Sequence, residues 1–150
     1  MQKIVLGLIA ILILGVVGQY TLIGSKEKVI QKKEAIVSNM TKNEFGSIVS
    51  KWVVDKESKL FIKKINIDQM NEFFVMIKEV YGSCKIEKEP VCLSQERFEN
   101  SKDAYATEFG ASITCTYEVN CEKKNTTGSL IFRPNGKDTY QIGRFSLQMD

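Results

Sequence analysis

Histidine is missing from this chain, and its absence excludes several kinds of chemistry at once. There is no imidazole to serve as a general base, to activate a serine or cysteine nucleophile, or to bind a metal. Proline is nearly as scarce, with 2 among 150 residues, and 10 glycines are too few for a low-complexity chain. The 21 basic residues nearly balance the 18 acidic ones, so no nucleic acid partner is required. We expect one small folded domain that is not an enzyme and has no cofactor.

The one long hydrophobic run stands at the start of the chain. It extends from Ile4 to Gly18 without a charge and continues to Ile23, about the length that a helix needs to cross a bilayer. We therefore interpret residues 1–25 as a membrane anchor, with a signal peptide cleaved near Gly18 as the alternative. Residues 26–150 then form the folded domain, and the membrane is one of its partners, through Ile4 to Ile23.

Two signals disagree about the side of the membrane on which this domain lies. Four lysines follow the hydrophobic run closely, which favours the cytoplasm: Lys26, Lys28, Lys32 and Lys33. Four cysteines in a chain without histidine favour two disulfides instead, and disulfides persist in an oxidising compartment. We expect a single-pass inner-membrane protein with its C-terminal domain in the periplasm, or a secreted protein if the segment is cleaved.

The first half of the domain has helical periodicity. Apolar residues recur at helical spacing from Val29 to Met40 and again from Phe45 to Val53. Thr41 to Glu44 has the spacing of a capping box, which predicts a new helix there, although one long kinked helix is the alternative. A further helix is predicted from a cap at Asp68 to Tyr81, ending at Gly82. The segment from Leu60 to Ile65 is ambiguous.

The second half alternates with a period of two, which indicates an antiparallel sheet. Strands are predicted over Ile113 to Cys121, Ser129 to Arg133 and Thr139 to Met149, with a polar turn at Lys123 to Gly128. Pro134 to Lys137 is predicted to be a hairpin turn. The last strand changes phase, so a bulge near Gly143 and Arg144 would return Tyr140, Ile142, Phe145, Leu147 and Met149 to the core. Cys84 to Phe98 and Ala104 to Phe109 could add one or two poorer strands.

The spacing of the cysteines favours one pattern of pairing. If the strand is continuous, Cys115 and Cys121 lie roughly 20 Å apart, too far for a disulfide. Their partners would then be Cys84 and Cys92, whereas the local pairs Cys84 with Cys92 and Cys115 with Cys121 require a turn near Val119. A zinc site would need closer pairs, and a thiol oxidoreductase would need two cysteines separated by two residues. Structural disulfides are therefore the preferred interpretation.

Other candidate site residues have ordinary structural explanations. Tyr105, Tyr117 and Tyr140 could line a pocket or an interface on the sheet, but such tyrosines are more often core residues. The carboxylates are interpreted as solvated charges because nothing brings two of them to one cleft: Asp68, Glu72, Glu79, Glu87, Glu89, Glu96 and Glu99. No catalytic residue and no metal ligand is predicted.

The order of elements resembles the small cystatin-like and NTF2-like α+β domains of bacterial exported proteins. The features that carry the resemblance are Phe73-Phe74, the helix end Val80-Tyr81-Gly82-Ser83-Cys84, and Pro134-Asn135-Gly136-Lys137 before a bulged last strand. The resemblance implies two or three helices packed on a curved antiparallel sheet of three to five strands, behind an N-terminal transmembrane helix. It is a likeness of fold and implies no catalytic motif.

Three functions follow as hypotheses. The first is a membrane-anchored, non-enzymatic accessory or assembly subunit of a cell-envelope complex, with a protein partner. The second is a pilin-like filament subunit, although the hydrophobic segment lacks the basic leader and the internal glutamate of pilins. The third is a small-ligand-binding protein or enzyme that uses an NTF2-like pocket, which would need a carboxylate near a tyrosine.

Overall fold

The computed structural model describes residues 23–98 and 106–149, and the chain divides into two units between Lys32 and Lys33. In the first unit, residues 23–32 are helical, and Gln31 Nε2 donates a hydrogen bond to Glu27 Oε1 at 3.1 Å. The second unit contains the sheet and the hydrophobic core.

The predicted transmembrane helix over Ile4 to Ile23 falls, apart from Ile23 itself, outside the described residues. Within 23–98 and 106–149, no helix combines the length and the apolarity that a bilayer crossing requires.

In the second unit, helix α1 runs from residue 33 to Lys51 and includes a π-helical turn at Met40–Phe45, followed by an α-helical end at Gly46–Lys51. The predicted break at Thr41 is wrong, and the helix count is wrong with it, because one helix continues to Lys51 where we predicted two. Thr41 is fully buried, and its hydroxyl donates to the carbonyl of Val37 at 2.8 Å, so it does not cap a new helix. The π turn keeps both Val37 and Phe45 in the core.

Helix α1 ends at Trp52, which has a φ of 53° in the left-handed region and whose amide bonds back to Ile48 O. The indole Nε1 of Trp52 donates to the carbonyl of Gly82 at 2.8 Å. This bond ties the end of α1 to the end of the second helix.

Helix α2 spans Ile67–Tyr81. Its cap is Asn66, whose side-chain oxygen accepts from the amide of Gln69 at 3.2 Å, so the predicted cap at Asp68 is wrong by two residues. Asp68 instead forms an ion pair with Lys56 at 2.8 Å. The helix ends at Gly82 as predicted, with a φ of 75° that suits glycine. Phe74, Ile77 and Tyr81 form its buried face.

Five strands form one antiparallel sheet, as the alternation predicts: β1 Cys84–Lys85, β2 Val91–Ser94, β3 Ile113–Cys121, β4 Thr126–Gly136 and β5 Thr139–Leu147. The order is β1-β3-β4-β5, and β2 also pairs with β3. Because β1 and β2 pair with different parts of β3, the two short strands share one edge of the sheet. β5 lies at the opposite edge.

The hairpin between β4 and β5 lies further along than predicted. β4 extends through Pro134 to Gly136, and the turn is made by Lys137 and Asp138, the latter with a φ of 58°. The hairpin turn predicted at Pro134 to Lys137 is therefore placed too early. The polar turn predicted at Lys123 to Gly128 is too long, because β4 already begins at Thr126. The bulge in β5 is confirmed, because Ile131 pairs with Arg144 and Phe132 with Ile142, which leaves Gly143 as the extra residue.

Both helices contribute to one hydrophobic core against the sheet. Phe45 of α1 lies 5.4 Å from Tyr117 and 5.6 Å from Phe145, measured between ring centroids. Phe74 of α2 also lies 5.6 Å from Phe145. The prediction that Met149 lies in the core is wrong, because its side chain is 61% exposed.

Candidate binding surface

The four cysteines form two disulfides, Cys84–Cys121 and Cys92–Cys115. Each joins two residues that face each other directly in the sheet, one pair between β1 and β3 and the other between β2 and β3. The preferred pairing between distant segments is confirmed, because β3 is continuous. The disulfides hold two short strands that have few backbone hydrogen bonds of their own, and they indicate an oxidising, extracellular or periplasmic location.

Tyr117 lies inside the core and faces Gly128 on the neighbouring strand. A Cβ atom built on Gly128 would approach the ring Cζ of Tyr117 to 2.6 Å, so the ring uses the space that this glycine leaves. The phenol oxygen has no hydrogen-bond partner among the described residues. Burial raises the pKa of Tyr117 far above its ordinary value, so the phenol stays neutral.

Tyr140 does not join Tyr117 in a pocket. Tyr140 is buried opposite Pro134, and burial, with the nearby charges of Asp138 and Glu96, raises its pKa to about 12. Tyr117 faces Gly128, so the two tyrosines are separated by six residues along β4, roughly 20 Å. Tyr105 lies outside the described residues.

One ion pair, between Glu34 and Arg97, was not predicted from the sequence. The carboxylate of Glu34 on α1 accepts hydrogen bonds from Arg97 Nε and Nη2, both at 2.6 Å, and from the amide of Ser94 at 2.8 Å. Only 12% of the Glu34 side chain is exposed. The bond from Arg97 is the main cause that lowers the pKa of Glu34, and burial opposes it. The pair fastens α1 to the turn Gln95–Arg97 that follows β2.

The carboxylates that we interpreted as solvated are in part structural. Glu96 pairs with Lys33 at 2.7 Å, and Glu89 accepts from Ser38 at 2.7 Å and from Lys42 at 3.0 Å. Together with Glu34, these contacts join α1 to the segment that carries β1 and β2. No group of three or more acidic or cysteine side chains in the described ranges is arranged to hold a metal ion.

The outer face of the sheet is polar. Two neighbouring cavities of about 280 and 330 Å³ lie on it, and Thr127 and Gln148 line both. Hydroxyls pair with one another here, with Ser129 Oγ 2.7 Å from Ser146 Oγ. No tyrosine lines either cavity, so this face does not have the carboxylate-and-tyrosine pocket that the third hypothesis needs.

Helix α2 carries apolar side chains that the core does not cover. Met76 is 56% exposed and Val80 is 57% exposed. They follow Phe73 by one and two helical turns on the same flank of the helix. Phe73 contacts Phe145 of β5, with ring centroids 6.4 Å apart, so this flank faces the β5 edge of the sheet. We name the apolar residues of this flank and of the adjoining part of β5 the α2–β5 surface: Phe73, Met76, Val80, Phe145 and Leu147.

The opposite flank of α2 faces the chain that follows α1. Asn71 on that flank accepts from the amide of Val54 at 2.8 Å and donates to its carbonyl at 2.9 Å. Val75 lies on the same side and is 59% exposed. Val75 and Val80 are thus equally exposed valines on two different flanks of one helix.

A second cavity region lies beside the first part of β5. It has a volume of about 410 Å³. Gln141 of β5, apolar residues, Glu57 and three lysines at positions 56, 59 and 63 line it. Lys63 and Lys64 are both exposed and form the turn after Ile62. Lysines therefore outnumber the acidic residues Glu57 and Asp68 at this end of the β5 edge.

No family model, no curated protein and no solved structure matches this chain. The resemblance to cystatin-like and NTF2-like domains accordingly stays a prediction.

Proposed function

We propose that this chain is an exported, disulfide-braced domain that binds another protein, as an accessory or assembly subunit of a cell-envelope complex, and that it acts by contact and without catalysis. The α2–β5 surface is the observation that carries the proposal. Its helical residues Met76 and Val80 are more than half exposed and do not belong to the hydrophobic core. An apolar strip next to a sheet edge is typical of a protein-interaction site.

The packing of the interior favours a function in which the domain binds a partner at its surface over one in which it binds a ligand in an internal cavity. Aromatic rings fill the side of the sheet that an NTF2-like pocket would occupy, including Phe45, Tyr117 and Phe145. Of the predicted pocket tyrosines, Tyr117 and Tyr140 are separated along the sheet, and Tyr117 is buried. The small-ligand hypothesis therefore has less support than protein binding.

Membrane attachment through Ile4 to Ile23 is the part of the proposal that comes from the sequence alone. An anchor of this kind would raise the local concentration of the domain at the membrane and so strengthen a weak contact. An inner-membrane position with the domain in the periplasm is consistent with the disulfides.

The test is recovery of the intact protein from its native cell in mild detergent, followed by mass spectrometry of what accompanies it. We expect a reproducible protein partner in stoichiometric amounts, and we expect that Val80→Lys weakens its recovery. A lone monomer in every preparation would count against the proposal. Shear-released fibres that contain the chain would favour the filament hypothesis instead.

A further inference from the structure

The β5 edge of the sheet is only partly covered. Leu60 to Ile62 lie beside Ile142: the amide of Ile142 donates to Leu60 O at 2.7 Å, and the amide of Ile62 donates to Ile142 O at 3.0 Å. Phe61 and Ile142 form a parallel bridge. These three residues thus begin a sixth strand, which ends when the chain turns away at Lys63.

Beyond Ile142 the edge is open. The amide of Gln148 points inward and bonds to Thr127 O at 2.8 Å, so the alternation of an antiparallel strand directs the backbone groups of Phe145 and Leu147 outward. Among the residues that the structure describes, no hydrogen bond is made to the outward groups of these two residues. We name the place beside Phe145 and Leu147 the open strand position.

The open strand position has an apolar wall. Phe73 of α2 contacts Phe145 beside this position, and Met76 and Val80 on the same helix flank are more than half exposed. A strand that extended the sheet by one position would place every second side chain against these residues. Its intervening side chains would lie on the polar outer face, next to Ser146 and Gln148.

Exposed cations stand at one end of the open strand position. Lys63 and Lys64 stand where the partial sixth strand stops, and Arg144 is exposed on β5 itself. A segment with carboxylates at the end that reaches the two lysines would be attracted to them.

We infer that the open strand position binds an extended segment of a partner protein, with apolar residues at alternate positions and carboxylates at the end beside Lys63 and Lys64. This inference rests on the proposed protein-binding function and specifies the class of partner. The backbone of the segment continues the sheet at β5, its apolar side chains cover Phe73, Met76 and Val80, and its carboxylates pair with the lysines.

The first experiment uses two short synthetic peptides in which valine alternates with threonine. One peptide has a pair of glutamates at one end, and the other has a pair of lysines there. Each is titrated into the oxidised full-length protein, and amide hydrogen exchange is recorded with and without peptide. We expect the acidic peptide to bind and to protect the amides of Phe145 and Leu147, and the basic peptide to bind about tenfold more weakly.

Matched variants identify the surface. Val80→Lys should weaken the acidic peptide about tenfold, because a valine that becomes covered contributes roughly that much. Val75→Lys, on the other flank of α2, should leave the affinity unchanged. Lys63→Glu combined with Lys64→Glu should reverse the preference between the two peptides, whereas Lys124→Glu, in the turn after β3, should not. All these positions are exposed, so the variants are expected to fold.

The outcomes separate this inference from the proposed function. Failure of the acidic peptide to bind, protection that maps away from β5, or equal affinity in Val80→Lys and Val75→Lys overturns the inference. Dimerisation of this chain that is abolished by Val80→Lys also overturns the inference, because the open strand position would then bind a second copy of the chain. If the native partner is recovered equally well with Val80→Lys, the open strand position is not its site, although the protein-binding function stands.

Discussion

At the scale of single residues, Tyr117 and Gly128 form a matched pair across β3 and β4. The ring fits because its neighbour has no side chain, and the phenol is buried without a hydrogen-bond partner among the described residues. Such a hydroxyl is a stability cost, since it loses its hydrogen bonds to water and gains none. Sequence alternation places Tyr117 on the inner face but does not reveal this cost.

Gly128→Ala should destabilise the domain by about 1–3 kcal/mol, because the new methyl group would overlap the Tyr117 ring and lie 2.7 Å from the carbonyl oxygen of Ser146. Urea unfolding with the disulfides intact measures the change. The control is Gly46→Ala, where the nearest atom would be the Thr41 oxygen at 3.8 Å and the helix should gain stability. Equal stability of the two variants would contradict the proposed packing.

Tyr117→Phe should leave stability unchanged or raise it by about 1 kcal/mol, because it removes only the hydroxyl that lacks a partner. Thr41→Val is the comparison, since the Thr41 hydroxyl is also buried but bonds to Val37 O. That variant should lose about 1 kcal/mol in the same urea titration. A clear loss of stability in Tyr117→Phe would indicate that the phenol does have a partner.

At the scale of elements, side-chain contacts between distant segments decide how α1 is placed and how long it is. The residues next to Thr41 in the sequence predict that it caps the start of a helix. In the structure it is a buried residue inside the helix. Glu34, Ser38 and Lys42 fasten the same helix to the segment of β1 and β2. The partners of these residues lie about 50 or 60 positions away in the chain, so local patterns could not reveal them.

Glu34→Gln should destabilise the domain by about 1–3 kcal/mol, since hydrogen bonds to a charged and largely buried carboxylate are stronger than neutral ones. Glu44→Gln, at an exposed position of the same helix, should change stability little. Denaturant unfolding at neutral pH compares the two. If Glu44→Gln lowered the free energy of unfolding as much as Glu34→Gln, the ion pair between Glu34 and Arg97 would not be a specific source of stability.

The same pair should make stability depend on pH. The folded-state pKa of Glu34 lies below its ordinary value of 4.5, so its contribution is complete above that value and is lost as the pH falls through the folded-state pKa. The urea midpoint of the wild-type protein should therefore fall more steeply below pH 4.5 than that of Glu34→Gln. Parallel pH profiles for the two proteins would contradict this assignment.

At the scale of the whole molecule, the disulfides and the open sheet edge have opposite roles. One edge of the sheet is made of two short strands, and each is bonded covalently to β3. The other edge, β5, is only partly covered and lies next to an apolar helix flank. The stabilised edge resists unfolding, whereas the partly covered edge is available to a partner.

Removal of either disulfide, as Cys84→Ala with Cys121→Ala or as Cys92→Ala with Cys115→Ala, should destabilise the domain by about 2–4 kcal/mol. Urea unfolding of each variant measures this cost, and the wild-type protein in reductant should show the loss of both. Thiol trapping in the native cell is the complementary measurement. Four trapped thiols there would contradict an oxidising location.

The sequence by itself determined the features that depend on neighbouring residues. The alternation from Ile113 to Cys121 established a strand, Gly82 marked the end of α2, and the phase change in the last strand required a bulge at Gly143. Only the tertiary structure decided the continuity of α1, the position of the β4–β5 turn, the separation of Tyr117 from Tyr140, and the open edge of β5. The reason is physical: periodicity and turn propensity act over a few residues, whereas burial, ion pairing and strand order depend on segments that meet only in the folded chain.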